Sequence, residues 1–141
     1  MFLSIALAIA VAAVLLLFAH VARRYRDAPA RVPLHVAYDG RPYRYGPRAL
    51  LWLTPAILAC VVAAVGVACV TQPPRAQQQP VIGMVFLVVA EVAWLVGWLV
   101  DRQIELARQM TFRIAPSRLV LVVLPVIGTM AVTLAVAAMN A

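Results

Sequence analysis

Four apolar stretches, each about 20 residues long, dominate this chain of 141 residues. They are Phe2 to Ala22, Leu50 to Val70, Val81 to Val100 and Leu119 to Met139. At 1.5 Å per residue, a helix of ~20 residues spans the ~30 Å hydrocarbon core of a bilayer. In hydrocarbon, the peptide N–H and C=O groups of each segment must hydrogen-bond within that segment, as they do in a helix. A strand of a membrane β-barrel would instead be only ~10 residues long and would alternate in polarity. The sequence therefore predicts an all-α integral membrane protein, with four transmembrane helices in a small bundle that forms one domain over residues 1–141.

The composition agrees with this class of protein. Apolar residues make up 65% of the chain and charged residues 12%, and the mean hydropathy is +0.96. A water-soluble domain of this size could not accommodate so apolar a composition, so a water-soluble protein is excluded. No positive residue precedes the first apolar stretch, which is also longer than the 7 to 15 residues usual in a signal peptide, so we expect it to remain as a mature helix.

The arginines are distributed very unevenly between the connections. The chain has twelve arginines and no lysine, and its formal net charge is +7. Seven arginines lie in the connection 23–48, four in 101–118 and only Arg75 in 71–80. The positive-inside rule therefore predicts that the first and third connections are cytoplasmic and that both termini lie outside. Anionic lipid headgroups explain the basic charge better than nucleic acid, since each near-surface arginine contributes ~1 kcal/mol to membrane binding.

Two helix boundaries leave alternatives open. Thr54 and Pro55 could form an N-cap followed by a proline at the first helical position, or Pro55 could lie inside the first turn. Charged residues beyond the third stretch recur at helical spacings of three and four, from Asp101 to Arg108. The third helix is therefore expected either to continue past the membrane or to bend into an amphipathic interfacial segment over 101–118.

The first connection contains a hairpin signal. Asp39-Gly40 separates two short runs in which apolar or aromatic residues alternate with other residues. Pro42 weakens the second run as a strand, because proline cannot donate a ladder hydrogen bond. We expect a compact, turn-rich loop with little regular sheet.

The same loop resembles a widespread bacterial membrane domain of unknown function, found at the N-terminus of SdpI-type toxin-immunity proteins. There, a Pro-x-His stretch, a glycine and an aromatic-Gly pair lead from one apolar helix into the next. The resemblance covers about residues 31 to 58 and implies location in a bacterial inner (plasma) membrane and, by analogy, a role in toxin immunity. The matching loop motif consists of Pro33, His35, Asp39, Gly40, Tyr45, Gly46 and Arg48, the last in place of a usual lysine.

Glu91 is the strongest candidate site on physical grounds alone. It is the eleventh of the twenty residues of the third stretch, and an ionised carboxylate there costs about 3 kcal/mol on insertion scales. Two states are open to it. A protonated Glu91 would bond to a neighbour such as Thr129 or Thr133, whereas an ionised Glu91 would need a polar cavity and an arginine.

These observations lead to three functional hypotheses. The sequence has no phosphate-binding glycine loop, no serine nucleophile set and no zinc-binding pattern. We therefore expect that the protein is not an enzyme and that it has no catalytic residues, no metal-binding residues and no cofactor. The leading hypothesis is a binding or regulatory membrane protein, or a small subunit of a larger complex, that uses the loop 23–48 for recognition. Its expected partners are anionic lipids and other membrane subunits or a second copy of the chain. The alternatives are a small transporter or proton-coupled unit that uses Glu91, and a toxin-immunity protein.

Overall fold

A computed structural model describes residues 2–36 and 42–108, together with residues 120, 124–125, 127–129, 131–132 and 135. In chain order the elements are α1 (Phe2–Asp27), β1 (Arg31–Val36), β2 (Pro42–Pro47), a 3-10 helix (Arg48–Trp52), α2 (Leu53–Thr71) and α3 (Gln79–Arg108). Among these described residues, three helical segments are long and apolar enough to cross a membrane: Phe2–Asp27, Arg48–Thr71 and Gln79–Arg108. Three of the four predicted crossings are thereby confirmed as candidate membrane spans.

The fourth predicted crossing, 119–139, is described only in part. Every described residue from 120 to 135 is α-helical, which agrees with a helix in this region. The remainder of the crossing, the segment 109–118 and the motif residues Asp39 and Gly40 lie outside the described residues, so the predictions made for them remain predictions.

The helix ends decide between the alternatives left open by the sequence. Helix α2 begins at Leu53 after the N-cap residue Trp52, so Pro55 lies inside the first turn, where it is buried. Helix α3 runs without interruption to Arg108, so the third helix continues past Val100 instead of bending there. Helix α1 likewise extends beyond the predicted Ala22 to Asp27.

Helices α1 and α3 form the central pair of the bundle. Buried α1 residues recur every three or four positions and form a seam of Ala6, Ala10, Val14, Leu17 and Val21. The α3 seam facing the core contains Gly83, Phe86, Val89, Ala93, Val96, Val100 and Ile104. Small residues in both seams let the two backbones approach closely, which is how helices pack where no water drives them together.

The hairpin is more regular than the sequence predicts. Strands β1 and β2 are six residues long and pair antiparallel, from Arg31 opposite Pro47 to Val36 opposite Pro42. The hairpin itself is confirmed, but the expectation of little regular sheet in the loop is wrong. The other described elements are helical. Pro42 is tolerated because it is the first residue of β2, where a missing ladder donor does least harm. The register shifts between Pro33 and His35 and again before Val36, so the sheet contains a local irregularity.

Candidate functional site

The base of the hairpin is fixed to the helices at both ends. The backbone N–H of Arg48 donates to the carbonyl oxygen of Ala30 at 3.1 Å, which closes the loop just outside the last strand pair. Strand β1 contacts α3, whose residues Ile104 and Leu106 are almost fully buried. The extension of α3 past the apolar span therefore serves as a platform for the hairpin.

Two motif residues account for the close packing of the hairpin. Pro33 in β1 is fully buried. Gly46 in β2 is also buried, and a Cβ atom at this position would lie 2.5 Å from Cδ1 of Leu34 and 2.9 Å from Cδ1 of Leu50. A side chain at position 46 would displace these leucines, so the glycine permits a close approach between the hairpin and the start of the second membrane segment.

Arg48 and Tyr25 join the hairpin to α1. The Arg48 guanidinium lies over the Tyr25 ring, 4.7 Å from its centroid, a distance at which cation–π attraction operates. Tyr25 also packs against Trp52, and the two ring centroids are 5.9 Å apart. Phe18 lies on Trp52 at the same distance. These aromatic contacts connect α1 with the 3-10 helix that begins at Arg48.

The tip-proximal part of β2 is exposed. Tyr43 is 66% exposed and Tyr45 is 42% exposed, and Arg44 between them is also exposed. His35 lies opposite Arg44 in the strand register, and Tyr45 lies opposite Pro33. The hairpin thus presents two tyrosines and an arginine on an anchored strand, and we call Tyr43, Arg44 and Tyr45 the β2 surface.

A cluster of charged groups joins α1 and α3 at the hairpin end of the bundle. Asp101 Oδ1 lies 3.0 Å from Nε2 of His20 and accepts a hydrogen bond from Nε of Arg24 at 2.6 Å. All three side chains are partly exposed, from 29% to 38%. We call His20, Arg24 and Asp101 the interfacial cluster. A second link lies further along, where Arg108 donates to the carbonyl oxygen of Asp27 at 2.7 Å.

Sequence reasoning did not find the interfacial cluster. In the sequence, Asp101 stands out only as part of a charged pattern within one helix. Within α3 that pattern does form one pair, Arg102 with Glu105, but Asp101 bonds across to α1. The sequence nevertheless contains a signal for this contact. Asp101 directly follows the last apolar residue of its stretch, so it is expected at the same membrane boundary as the polar residues at the end of α1.

Glu91 hydrogen-bonds to Thr129, one of the two partners named from the sequence. The Thr129 hydroxyl, in the predicted fourth helix, donates to Glu91 Oε2 at 2.5 Å and also lies 2.7 Å from the carbonyl oxygen of Pro125. A hydroxyl has one proton, so it satisfies only one of these acceptors at a time. When the proton goes to Pro125, a neutral Glu91 carboxyl can donate to the Thr129 oxygen. Glu91 therefore has a local partner without any described arginine beside it.

The fold and these contacts describe a small multi-helix membrane protein with an anchored extramembrane hairpin. Comparison with protein families matches residues 3–59 to the family described as a domain of unknown function, DUF1648. The match covers α1, the hairpin and the beginning of α2, so it extends well beyond the loop on which the resemblance was based. No curated protein and no solved structure matches the chain.

Proposed function

We propose that this protein is a non-enzymatic integral membrane protein that binds or regulates a partner, or serves as a small subunit of a larger membrane complex, with the hairpin as its recognition surface. The observation that carries the proposal is the contrast within β2. Gly46 and the opposing residue Val32 are buried, while the β2 surface directly before Gly46 is exposed.

The residues of the β2 surface suit protein recognition. Tyrosine and arginine are enriched at the centres of protein interfaces, because each combines a large contact area with polar groups that can pair on burial. A strand fixed at its base also loses little conformational entropy on binding, which favours affinity. An exposed tyrosine pair on an anchored strand is therefore better suited to recognition than a free loop of the same composition.

The test replaces all three residues of the β2 surface. The Tyr43→Ala, Arg44→Ala, Tyr45→Ala variant and the wild type, both as the full chain with an affinity tag, are cross-linked in cells, extracted in mild detergent and quantified by mass spectrometry. We expect at least tenfold depletion of a specific membrane partner in the variant, while the amount and melting temperature of the protein stay the same.

The opposite connection offers a matched control. Arg75, Gln77 and Gln78 are exposed and lie at the other end of the helices, so their triple alanine variant should retain the partner. Equal partner profiles for the wild type and the β2-surface variant would remove the proposal.

A second candidate function is a proton-coupled unit centred on Glu91. The contact that favours it is the Glu91–Thr129 hydrogen bond, because Thr129 has two acceptors for one proton and can shift between them as Glu91 gains or loses its own. In vesicles, the Glu91→Gln variant should lose pH-driven flux, and a Thr71→Val variant should keep it. A wild type without flux would exclude this function. Toxin immunity remains an expectation from the resemblance, to be tested by deletion of the gene and exposure to secreted toxins.

A further inference from the structure

A groove lies between α1 and α3 on the membrane side of the interfacial cluster. Its volume is about 410 Å³, within the ~300–1,000 Å³ typical of small-molecule sites. Ala93 and Gly97 form part of its lining, together with the larger side chains of Leu16 and Trp94. We call it the α1–α3 groove. It exists because small residues of α3 leave space beside the α1 seam.

The length of the groove matches one leaflet of a bilayer. Its α3 lining extends from Ala90 to Asp101, which at 1.5 Å per residue is about 16 Å along the helix. The hydrocarbon core is ~30 Å thick, so one leaflet contributes about half of it. A transmembrane helix of a partner would need a groove along the whole span, whereas a single acyl chain needs only this depth.

The mouth of the groove is polar and offers a cationic donor, Arg24. His20 and Asp101 line it, and Arg24 joins them through its Nε bond to Asp101. That bond leaves the two terminal amino groups of Arg24 without a hydrogen bond to any described residue. A guanidinium edge of this kind matches the oxygens of a phosphate, with which it can form two parallel bonds.

The charge around the mouth favours an anion over a cation. The Arg24 guanidinium already donates to Asp101 Oδ1 at 2.6 Å and offsets the negative charge of this carboxylate. Arg23 and Arg26 are exposed on the same end of α1. The indole of Trp98, which lines the groove one helical turn before Asp101, is of the type that collects at the boundary between acyl chains and headgroups.

We propose that the α1–α3 groove binds one anionic phospholipid of the adjacent leaflet. One acyl chain lies along Ala93 and Gly97, and the phosphate is held at the mouth by Arg24. The site is independent of the recognition role assigned to the hairpin, since none of these residues belongs to the β2 surface. The lipid bound there occupies a defined position, in contrast to headgroups that are attracted diffusely to scattered arginines.

The experiment uses quenching of tryptophan fluorescence by brominated acyl chains. The full chain with Trp52→Phe, which leaves Trp94 and Trp98 as the tryptophans, is reconstituted in phosphatidylcholine vesicles. A small, equal fraction of either brominated phosphatidylglycerol or brominated phosphatidylcholine is included. We expect about fivefold stronger apparent binding for the anionic lipid, which corresponds to the ~1 kcal/mol of one near-surface arginine.

Matched variants separate this site from general charge attraction. Arg24→Gln and Arg23→Gln remove the same net charge, but only Arg24 lies at the groove mouth, so only Arg24→Gln should abolish the preference. Gly97→Leu should fill the groove and reduce quenching by both lipids. If that variant fails to fold, the comparison of the two arginine variants still decides.

Three results would overturn the proposal. Equal quenching by the two lipids in the parent chain would exclude a headgroup site, and equal effects of the two arginine variants would indicate diffuse attraction only. Weak quenching by both lipids, with cross-links between copies at Leu16→Cys, would mean that a second copy of the chain occupies the groove.

Discussion

His20 and Asp101 are 81 residues apart in the chain, yet His20 Nε2 lies 3.0 Å from Asp101 Oδ1. Asp27 and Arg108 have the same separation and also bond to each other. Phe2 and Gly83, near the opposite ends of the same helices, are again 81 apart and in close contact. A constant separation along the full length of α1 means that α1 and α3 lie side by side in the same direction. α2 is the connection that makes this parallel pairing possible.

The parallel register can be tested by cysteine cross-linking. A Cβ atom at Gly97 would lie 3.6 Å from Cδ1 of Leu17, so a Leu17→Cys, Gly97→Cys pair should cross-link with a short reagent in membranes. The native cysteines Cys60 and Cys69 are first replaced by alanine. Leu15→Cys with Gly97→Cys is the control, because Leu15 is exposed on another face of α1. Equal cross-linking of the two pairs would contradict the register.

Asp101→Asn should destabilise the pairing of α1 with α3. The change removes the carboxylate charge that two groups of α1 share, and we expect a loss of about 1 kcal/mol in the free energy of unfolding, the upper part of the range for partly exposed pairs. Titration with a denaturing detergent measures this loss. Glu105→Gln is the control, since its partner Arg102 lies on the same helix and such pairs contribute only about 0.3–0.5 kcal/mol. Equal losses in both variants would argue against a role for Asp101 between helices.

Glu91 and Thr129 should be energetically coupled. In a double-mutant cycle with Glu91→Leu and Thr129→Val we expect a coupling energy of about 0.6–1.7 kcal/mol, as found for hydrogen bonds between membrane helices. Thr71→Val serves as the control partner, because the Thr71 hydroxyl bonds to carbonyl oxygens of its own helix, and its effect should add to that of Glu91→Leu. A coupling of zero for the Glu91–Thr129 pair would show that the hydrogen bond does not form in the membrane.

The orientation predicted from the arginines can be tested with two exposed positions. In a chain without native cysteines, Ala30→Cys reports on the hairpin end and Gln77→Cys on the opposite end, and neither change alters an arginine. A membrane-impermeant thiol reagent should label Gln77→Cys in intact cells and Ala30→Cys only after the membrane is opened. The reverse pattern would place the hairpin and the loop 23–48 outside and contradict the orientation predicted by the positive-inside rule.

Gly46→Ala should loosen the docking of the hairpin. The added methyl group would press against Leu34 and Leu50, and overpacking of this kind costs about 1–3 kcal/mol. Thermal melting and limited proteolysis in the loop measure the effect. Gly66→Ala is the matched control, because its new Cβ would meet only Leu7 at an ordinary 3.8 Å. Similar melting temperatures for the two variants would mean that the leucines move aside without cost.

The three described membrane helices and the hairpin could be predicted from the sequence, because the signals for both are local. A run of apolar residues long enough to cross hydrocarbon is a helix whatever its neighbours are, and an Asp-Gly pair between alternating runs favours a hairpin. The regularity of β2 was missed, since a proline at the first residue of a strand weakens the sequence signal more than it weakens the strand. The Glu91–Thr129 bond was named as one possibility because few polar groups exist at that depth.

Tertiary structure alone decided which surfaces meet. Ala6/Ala10 and Ala64/Ala68 have the same spacing in the sequence, but Ala6 and Ala10 are buried against the core while Ala64 and Ala68 are exposed. The choice depends on the rotation and register of one helix against another, which every residue of the interface decides jointly. For the same reason the interfacial cluster, the α1–α3 groove and the close approach at Gly46 became visible only in the fold, whereas the membrane environment follows directly from the composition and length of the apolar stretches.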